Sequence, residues 1–201
     1  MKRLPILDRL FLLLTALLAA YQVVRGIEGL DSFTIASYTV AFGVLLLAVL
    51  LLMVLGLEVL DSPIVVIVST IIPLSLSLGL ISQFASEFSM AYLVFAILGF
   101  LAIVITRFFI SGRIAVVVLA NVHGVAGLVI FILPIVLTVQ GETPLGFLFV
   151  SLGGALIGLG GMLLAFLKTG KPILPRETIL RVLPGLLLVM TLSFVAGFAF
   201  L

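Results

Sequence analysis

The sequence predicts an all-α integral membrane protein in which a polytopic bundle of seven transmembrane helices forms a single domain over residues 1–201. Hydrophobic residues make up 64% of the chain and charged residues 9%, whereas a typical soluble domain is about 25% charged. A soluble protein of this composition lacks the polar side chains needed to cover its surface. We therefore expect a bilayer as its solvent and no separate soluble domain.

Seven stretches are long and apolar enough to span a membrane, since a spanning helix needs about 20 mostly apolar residues. The first begins with basic residues, as a secretory signal peptide does, but six more apolar stretches follow, so we interpret it as a transmembrane helix. Prolines mark the starts of the third and seventh helices, at Pro63 and Pro175. The predicted spans are 7–24, 34–57, 63–82, 90–109, 114–138, 145–167 and 180–200.

The positions of Lys and Arg predict the orientation of the bundle. With seven spans, every basic residue except Arg25 falls on the same side as the N-terminus. Cytoplasmic loops carry such an excess of Lys and Arg, so the N-terminus is predicted to be cytoplasmic and the C-terminus to lie on the opposite side. The last cytoplasmic loop is also a candidate for binding anionic lipid headgroups, through Lys168, Lys171, Arg176 and Arg181.

The predicted membrane core contains no charged side chain, because all Asp, Glu, Lys and Arg residues fall in loops or near segment ends. Proton and ion pumps often depend on carboxylates inside the membrane, so this distribution argues against a proton-coupled carrier or pump. Cysteine is absent, which excludes thiolate metal sites, and no catalytic motif occurs. We expect a protein that is not an enzyme, that contacts membrane lipids and other membrane subunits, and that does not bind nucleic acid.

Helix six is rich in glycine, and glycines let neighbouring helices approach closely in lipid. Three of them recur every seven residues and two form a GxxxG pair; these predicted packing residues are Gly146, Gly153, Gly154, Gly158 and Gly160. Packing within the bundle is the favoured interpretation. The alternatives are a contact with another subunit, or a smooth face that seats a pigment or a lipid tail.

His123 is the only histidine and lies near the middle of helix five. At about 100° per residue, Ala120, Ala126 and Gly127 share its side of the helix and leave space around it. Asn121 faces almost the opposite way and is predicted to pack against a different helix. His123 is predicted to hydrogen-bond a neighbouring helix, to ligate haem iron or chlorophyll magnesium axially, or to contact a solute. Candidates for a second axial ligand are Met53, Met90, Met162 and Met190.

Three functions follow from these features. The favoured one is a non-catalytic accessory, assembly or scaffold subunit of a larger membrane complex. The second is a small carrier or channel for a neutral or lipidic solute, with its path lined by His123 and by the serines around Pro73 in helix three. The third is a photosynthetic or electron-transfer accessory that holds chlorophyll or haem at His123. Both a plasma membrane and a thylakoid-type inner membrane suit this composition.

Overall fold

The structure, a computed structural model, describes residues 4–27, 29–110, 112–168 and 174–201, with the backbone alone for Asp61 and residues 165–168. Within these ranges, seven α-helices are each long and apolar enough to cross a membrane. No strand occurs within these ranges, so the predicted class of all-α, multi-pass integral membrane protein is confirmed. The helices are α1 (Ile6–Arg25), α2 (Ser32–Leu55), α3 (Pro63–Phe84), α4 (Ser89–Phe109), α5 (Arg113–Val139), α6 (Leu148–Lys168) and α7 (Arg176–Phe198).

The helix ends follow local chemistry rather than hydropathy. The side chain of Asp31 caps α2 by accepting hydrogen bonds from the backbone nitrogens of Phe33, at 2.9 Å, and Thr34, at 3.2 Å. Helix α7 begins at Arg176, four residues before the predicted apolar span, because its first turn is helical but polar. Helix α6 begins at Leu148, three residues later than the predicted span, since residues 145–147 form a short 3-10 turn.

Six of the seven helices form a closed ring in the order α1, α2, α3, α5, α6 and α7, with α7 packed back against α1. Helix α4 lies outside this ring and packs against α3 and α5. The apolar composition of every helix gave no sign of this order, because in lipid both the inward and the outward faces are hydrophobic. The ring defines an interior that side chains either fill or leave open.

One half of the ring interior is filled by aromatic side chains, and we call this half the aromatic end. Phe198 lies at its centre, with ring centroids 4.9 Å from Tyr38, 6.0 Å from Phe42 and 6.3 Å from Phe147. All four side chains are buried. Offset and edge-on packing of aromatic rings stabilises a fold by more than the buried area alone contributes. These rings fill the interior at the aromatic end and close it.

In the opposite half of the bundle, α1, α3, α5 and α7 begin and α2, α4 and α6 end. We call this half the basic end because of the arginines that lie there. Arg107, Arg113, Arg176 and Arg181 lie at this end of the bundle. Its assignment to the cytoplasmic side stays a prediction from the positive-inside rule.

Candidate functional site

Two apolar cavities occupy the half of the bundle nearest the basic end. The larger, of 590 Å³, lies between α3, α5 and α6, and the smaller, of 210 Å³, lies between α2, α3, α6 and α7. Among the described residues that line them, Ser69 and His123 supply the polar side chains of both cavities, and none of the lining residues is charged. The interior of the bundle is therefore filled by side chains at the aromatic end and contains cavities in the half nearest the basic end.

The larger cavity opens sideways between α5 and α6. Gly154 brings the two helices together, since a Cβ placed on it would lie 3.0 Å from backbone atoms of Ile130 and Phe131. Nearer the basic end, a Cβ on Gly158, one turn from Gly154, or on Gly124, nearly two turns from Ile130, would meet no atom within 4 Å. Both of these glycines are exposed and line the cavity, so in a membrane its mouth faces the lipid chains.

The glycines of α6, together with Gly146 in the 3-10 turn before it, divide between two roles. Those spaced by seven residues lie against α7 or the end of the chain, because an added Cβ would meet Phe200 at Gly146, Phe194 at Gly153 and Leu186 at Gly160. The predicted GxxxG pair behaves differently at its two positions. Gly154 packs against α5, whereas Gly158 contacts no helix at its Cβ position and borders the larger cavity instead.

His123 lies on the wall that the two cavities share, together with Ser69, Pro73 and Gly161. The side chain is half-buried, and its Nδ1 atom is shielded from solvent and has no hydrogen bond of ordinary geometry. Since Nδ1 is shielded, the part of the ring that reaches the cavity surface is the distal edge, which carries Nε2.

The favoured prediction of a hydrogen bond from His123 to a neighbouring helix has no counterpart among the described residues. The nearby polar group on α3 is Ser69, whose hydroxyl donates to the carbonyl of Val66 in its own helix, at 3.0 Å. The remaining neighbours on the shared wall are apolar. His123 is therefore a polar group that faces open apolar space.

The residues predicted to surround His123 lie in two environments. Ala120 and Gly127 line the larger cavity beside His123. Ala126 is fully buried and packs in a hydrophobic cluster with Val122 and Ile103, so it does not border the cavity.

Asn121 is exposed, and its amide nitrogen donates to the carbonyl of Val117 in its own helix, at 2.8 Å. This local bond replaces the predicted contact with another helix. Of the predicted methionine ligands, Met162 lines the larger cavity and Met190 the smaller, whereas Met53 and Met90 line neither.

The hydroxyl groups of α3 mostly bond to their own helix. Thr70 donates to the Val66 carbonyl at 2.8 Å and Ser77 to the Pro73 carbonyl at 2.6 Å, and the hydroxyl of Tyr92 on α4 donates to Ser77 at 2.7 Å. These bonds tie the hydroxyl groups to carbonyls one turn earlier in α3 and to the neighbouring helix α4. They do not form a polar path through the bundle.

The predicted headgroup site is described in part. Arg176 and Arg181 are exposed in the first turns of α7. The backbone of Lys168 ends α6, but its side chain and all of Lys171 lie outside the described residues. The contact of these four residues with lipid headgroups stays a prediction.

Two glycines that line the larger cavity were not identified from the sequence. Gly124 and Gly161 each form an i,i+3 pair with another open glycine, Gly127 on α5 and Gly158 on α6. A pair of glycines three residues apart on each of two consecutive helices is the available sequence signal, but it does not distinguish an open space from close helix packing.

The fold and the site define a class, a multi-pass helical membrane protein with an apolar cavity that opens toward the lipid. Comparison of the chain with family models, with curated proteins and with solved structures finds no match. The function is therefore argued from the site itself.

Proposed function

We propose that this protein binds a neutral, mostly apolar solute in the larger cavity and acts as a carrier or binding protein for lipidic molecules. The observation that carries the proposal is the 590 Å³ cavity with its mouth between α5 and α6. Ligand sites for small molecules usually measure about 300–1,000 Å³ and are lined mainly by apolar groups. A hydrophobic solute enters such a site directly from the bilayer.

The lining favours an uncharged solute. No described residue that lines either cavity carries a charge. A charged group that moved into this space would lose its hydration without gaining a partner, which costs far more than burying a hydrogen-bonded polar group. Charged headgroups are better placed outside the cavity, in the interfacial region of the membrane.

The aromatic end favours a binding protein or carrier over an open channel. The rings around Phe198 close the interior on one side of the cavities. A solute that enters from the lipid is therefore held in one half of the bundle, and passage to the other half requires these rings to separate. The role of accessory subunit stays a prediction, and a subunit that binds lipid would combine that role with the proposed function.

Fluorescence quenching tests the proposal, because the chain contains no tryptophan. Met162→Trp places a single fluorophore on the cavity wall, and Leu47→Trp places one on α2, outside both cavities, where Leu47 is 62% exposed. In detergent, a dibrominated alkane is expected to quench the Met162→Trp protein at low, saturating concentration. The Leu47→Trp protein should be quenched only in proportion to the alkane in the micelle.

A cavity-filling variant completes the test. Adding Gly158→Leu to the Met162→Trp protein inserts a side chain where no atom lies within 4 Å of the Cβ position, and it should remove the saturable phase. Quenching that never saturates at Met162→Trp would refute a binding site in this cavity.

A further inference from the structure

The two cavities adjoin along a shared wall that includes His123. His123, Ser69, Pro73 and Gly161 line both of them. The larger cavity extends from this wall between α5 and α6, and the smaller extends from it between α2, α3 and α7. The free space therefore bends around His123, with an apolar arm on either side.

The ring of His123 is suited to accept a hydrogen bond in this space. Its Nδ1 atom is shielded from solvent and has no hydrogen-bond partner among the described residues. In a neutral ring one nitrogen carries the proton and the other a lone pair. With the proton on the shielded Nδ1, the lone pair of Nε2 lies on the edge of the ring that reaches the cavity.

No protein group nearby takes this lone pair. The proton of the Ser69 hydroxyl is bonded to the carbonyl of Val66, and the other described residues on the shared wall are apolar. An unmade hydrogen bond in an apolar site is unfavourable, because the polar atom has lost water without gaining a partner. A ligand that donates a proton to Nε2 would remove this cost.

The shape of the space favours a flexible chain over a flat macrocycle. A rigid disc ligated by Nε2 would use the larger cavity alone and would not enter the smaller one behind the ring. The carboxylates of a haem would also find no cation among the described cavity-lining residues. A hydrocarbon chain bends around His123 and fills both arms.

We infer that the ligand is a neutral lipid with a hydroxyl group partway along its chain, which donates a hydrogen bond to Nε2 of His123 while the two apolar arms fill the adjoining cavities. This inference rests on the proposed function and names the class of solute. It also assigns His123 as the residue that positions and selects the ligand.

Competition against the dibrominated alkane in the Met162→Trp protein tests the inference. Three competitors of equal chain length are compared: an alkane, a mid-chain ketone and a mid-chain secondary alcohol. The alcohol should compete about three- to tenfold better than the alkane, which corresponds to one net hydrogen bond. The ketone accepts but does not donate hydrogen bonds, so it should behave like the alkane.

Variants at His123 identify the partner. His123→Leu should bind the alkane and lose the preference for the alcohol, and His123→Gln, which keeps an acceptor oxygen, should retain part of it. Asn121→Leu is the matched control, because it removes an exposed polar group from the opposite face of α5. It should leave the preference intact.

A variant in the inner arm tests the bent space. Ala48→Leu narrows the smaller cavity from α2, whereas Gly43→Leu lies on the same helix outside both cavities and has no atom within 4 Å of its Cβ position. Ala48→Leu should weaken a long-chain alcohol by several-fold and leave a short-chain one unchanged. Gly43→Leu should change neither.

The outcomes distinguish failure of the proposed function from failure of the inference about the ligand. If the dibrominated alkane shows no saturable quenching, the proposed function fails and the inference fails with it. If the alkane binds and the alcohol has no advantage, or keeps it in His123→Leu, the inference is overturned while the proposed function stands. Tetrapyrrole absorption bands in the purified protein, lost in His123→Leu, would instead establish the macrocycle.

Discussion

The two glycines of the GxxxG pair in α6 should respond to alanine with opposite signs. At Gly154, the new Cβ would lie 2.9 Å from Cγ2 of Ile130 and 3.0 Å from two backbone atoms of α5, whereas ordinary contacts measure 3.4–4 Å. Since backbone atoms cannot rotate away, the helices must separate locally. A gap of about 0.5–1 Å forfeits roughly a quarter to a half of each dispersion contact, and overpacking of this kind costs about 1–3 kcal/mol.

At Gly158 the same substitution meets no atom within 4 Å. Both variants gain about 0.5–1 kcal/mol because alanine loses less backbone entropy than glycine in a helix. This gain is all that Gly158→Ala experiences, so we expect it to be more stable than wild type by that amount. Gly154→Ala should then fall below Gly158→Ala by the overpacking cost, about 1–3 kcal/mol.

Reversible unfolding in mixed micelles, followed by far-ultraviolet circular dichroism, measures both differences under one condition. The ranking Gly158→Ala, then wild type, then Gly154→Ala is the expected result. Equal shifts of the same sign at the two positions would refute the assignment of one glycine to helix packing and the other to an open cavity.

Three further variants test local features of the fold. Hydrogen bonds from Thr34 hold the pKa of Asp31 below its ordinary value of 3.8. The stabilising effect of the ionised Asp31 side chain is therefore present above that pH and is lost as the pH falls through the lowered pKa. Asp31→Ala should flatten the acid limb of the unfolding profile, and an unchanged limb would contradict the cap. Tyr92→Phe should cost about 0.5–1.5 kcal/mol in the same unfolding assay because the bond to Ser77 is lost, whereas Tyr21→Phe, on an exposed ring, should change nothing; equal effects would argue against that bond. Gly197→Ala places a Cβ 2.7 Å from a backbone nitrogen of α6 and should lower the thermal midpoint through a loss of about 1–3 kcal/mol, so an unchanged midpoint would contradict the close α6–α7 contact.

The number and the approximate limits of the helices were predictable because a bilayer imposes both length and composition on a spanning segment. The angular position of His123 was also predictable, since 100° per residue places Ala120 and Gly127 on its side and Asn121 away from it. These inferences depend on one helix at a time. They needed no knowledge of which helices are neighbours.

The cavity was not predictable, because it depends on how α5 and α6 diverge. Gly154 and Gly158 are the same residue type one turn apart. Only the three-dimensional structure shows that Gly154 contacts α5 and that Gly158 faces empty space. The partner of His123 was not predictable for a related reason. Ser69 lies on the same wall but bonds to its own backbone, a choice that sequence spacing does not reveal.

The central claim is that the lateral cavity holds a neutral lipidic molecule, and the most direct measurement is the lipid content of the purified protein. Wild type, Gly158→Leu and Gly43→Leu are purified in parallel in a mild detergent, and their organic extracts are quantified by mass spectrometry. We predict a neutral lipid bound to wild type and Gly43→Leu and lost from Gly158→Leu, whose new side chain fills the cavity. The same neutral lipid content in all three proteins would contradict it.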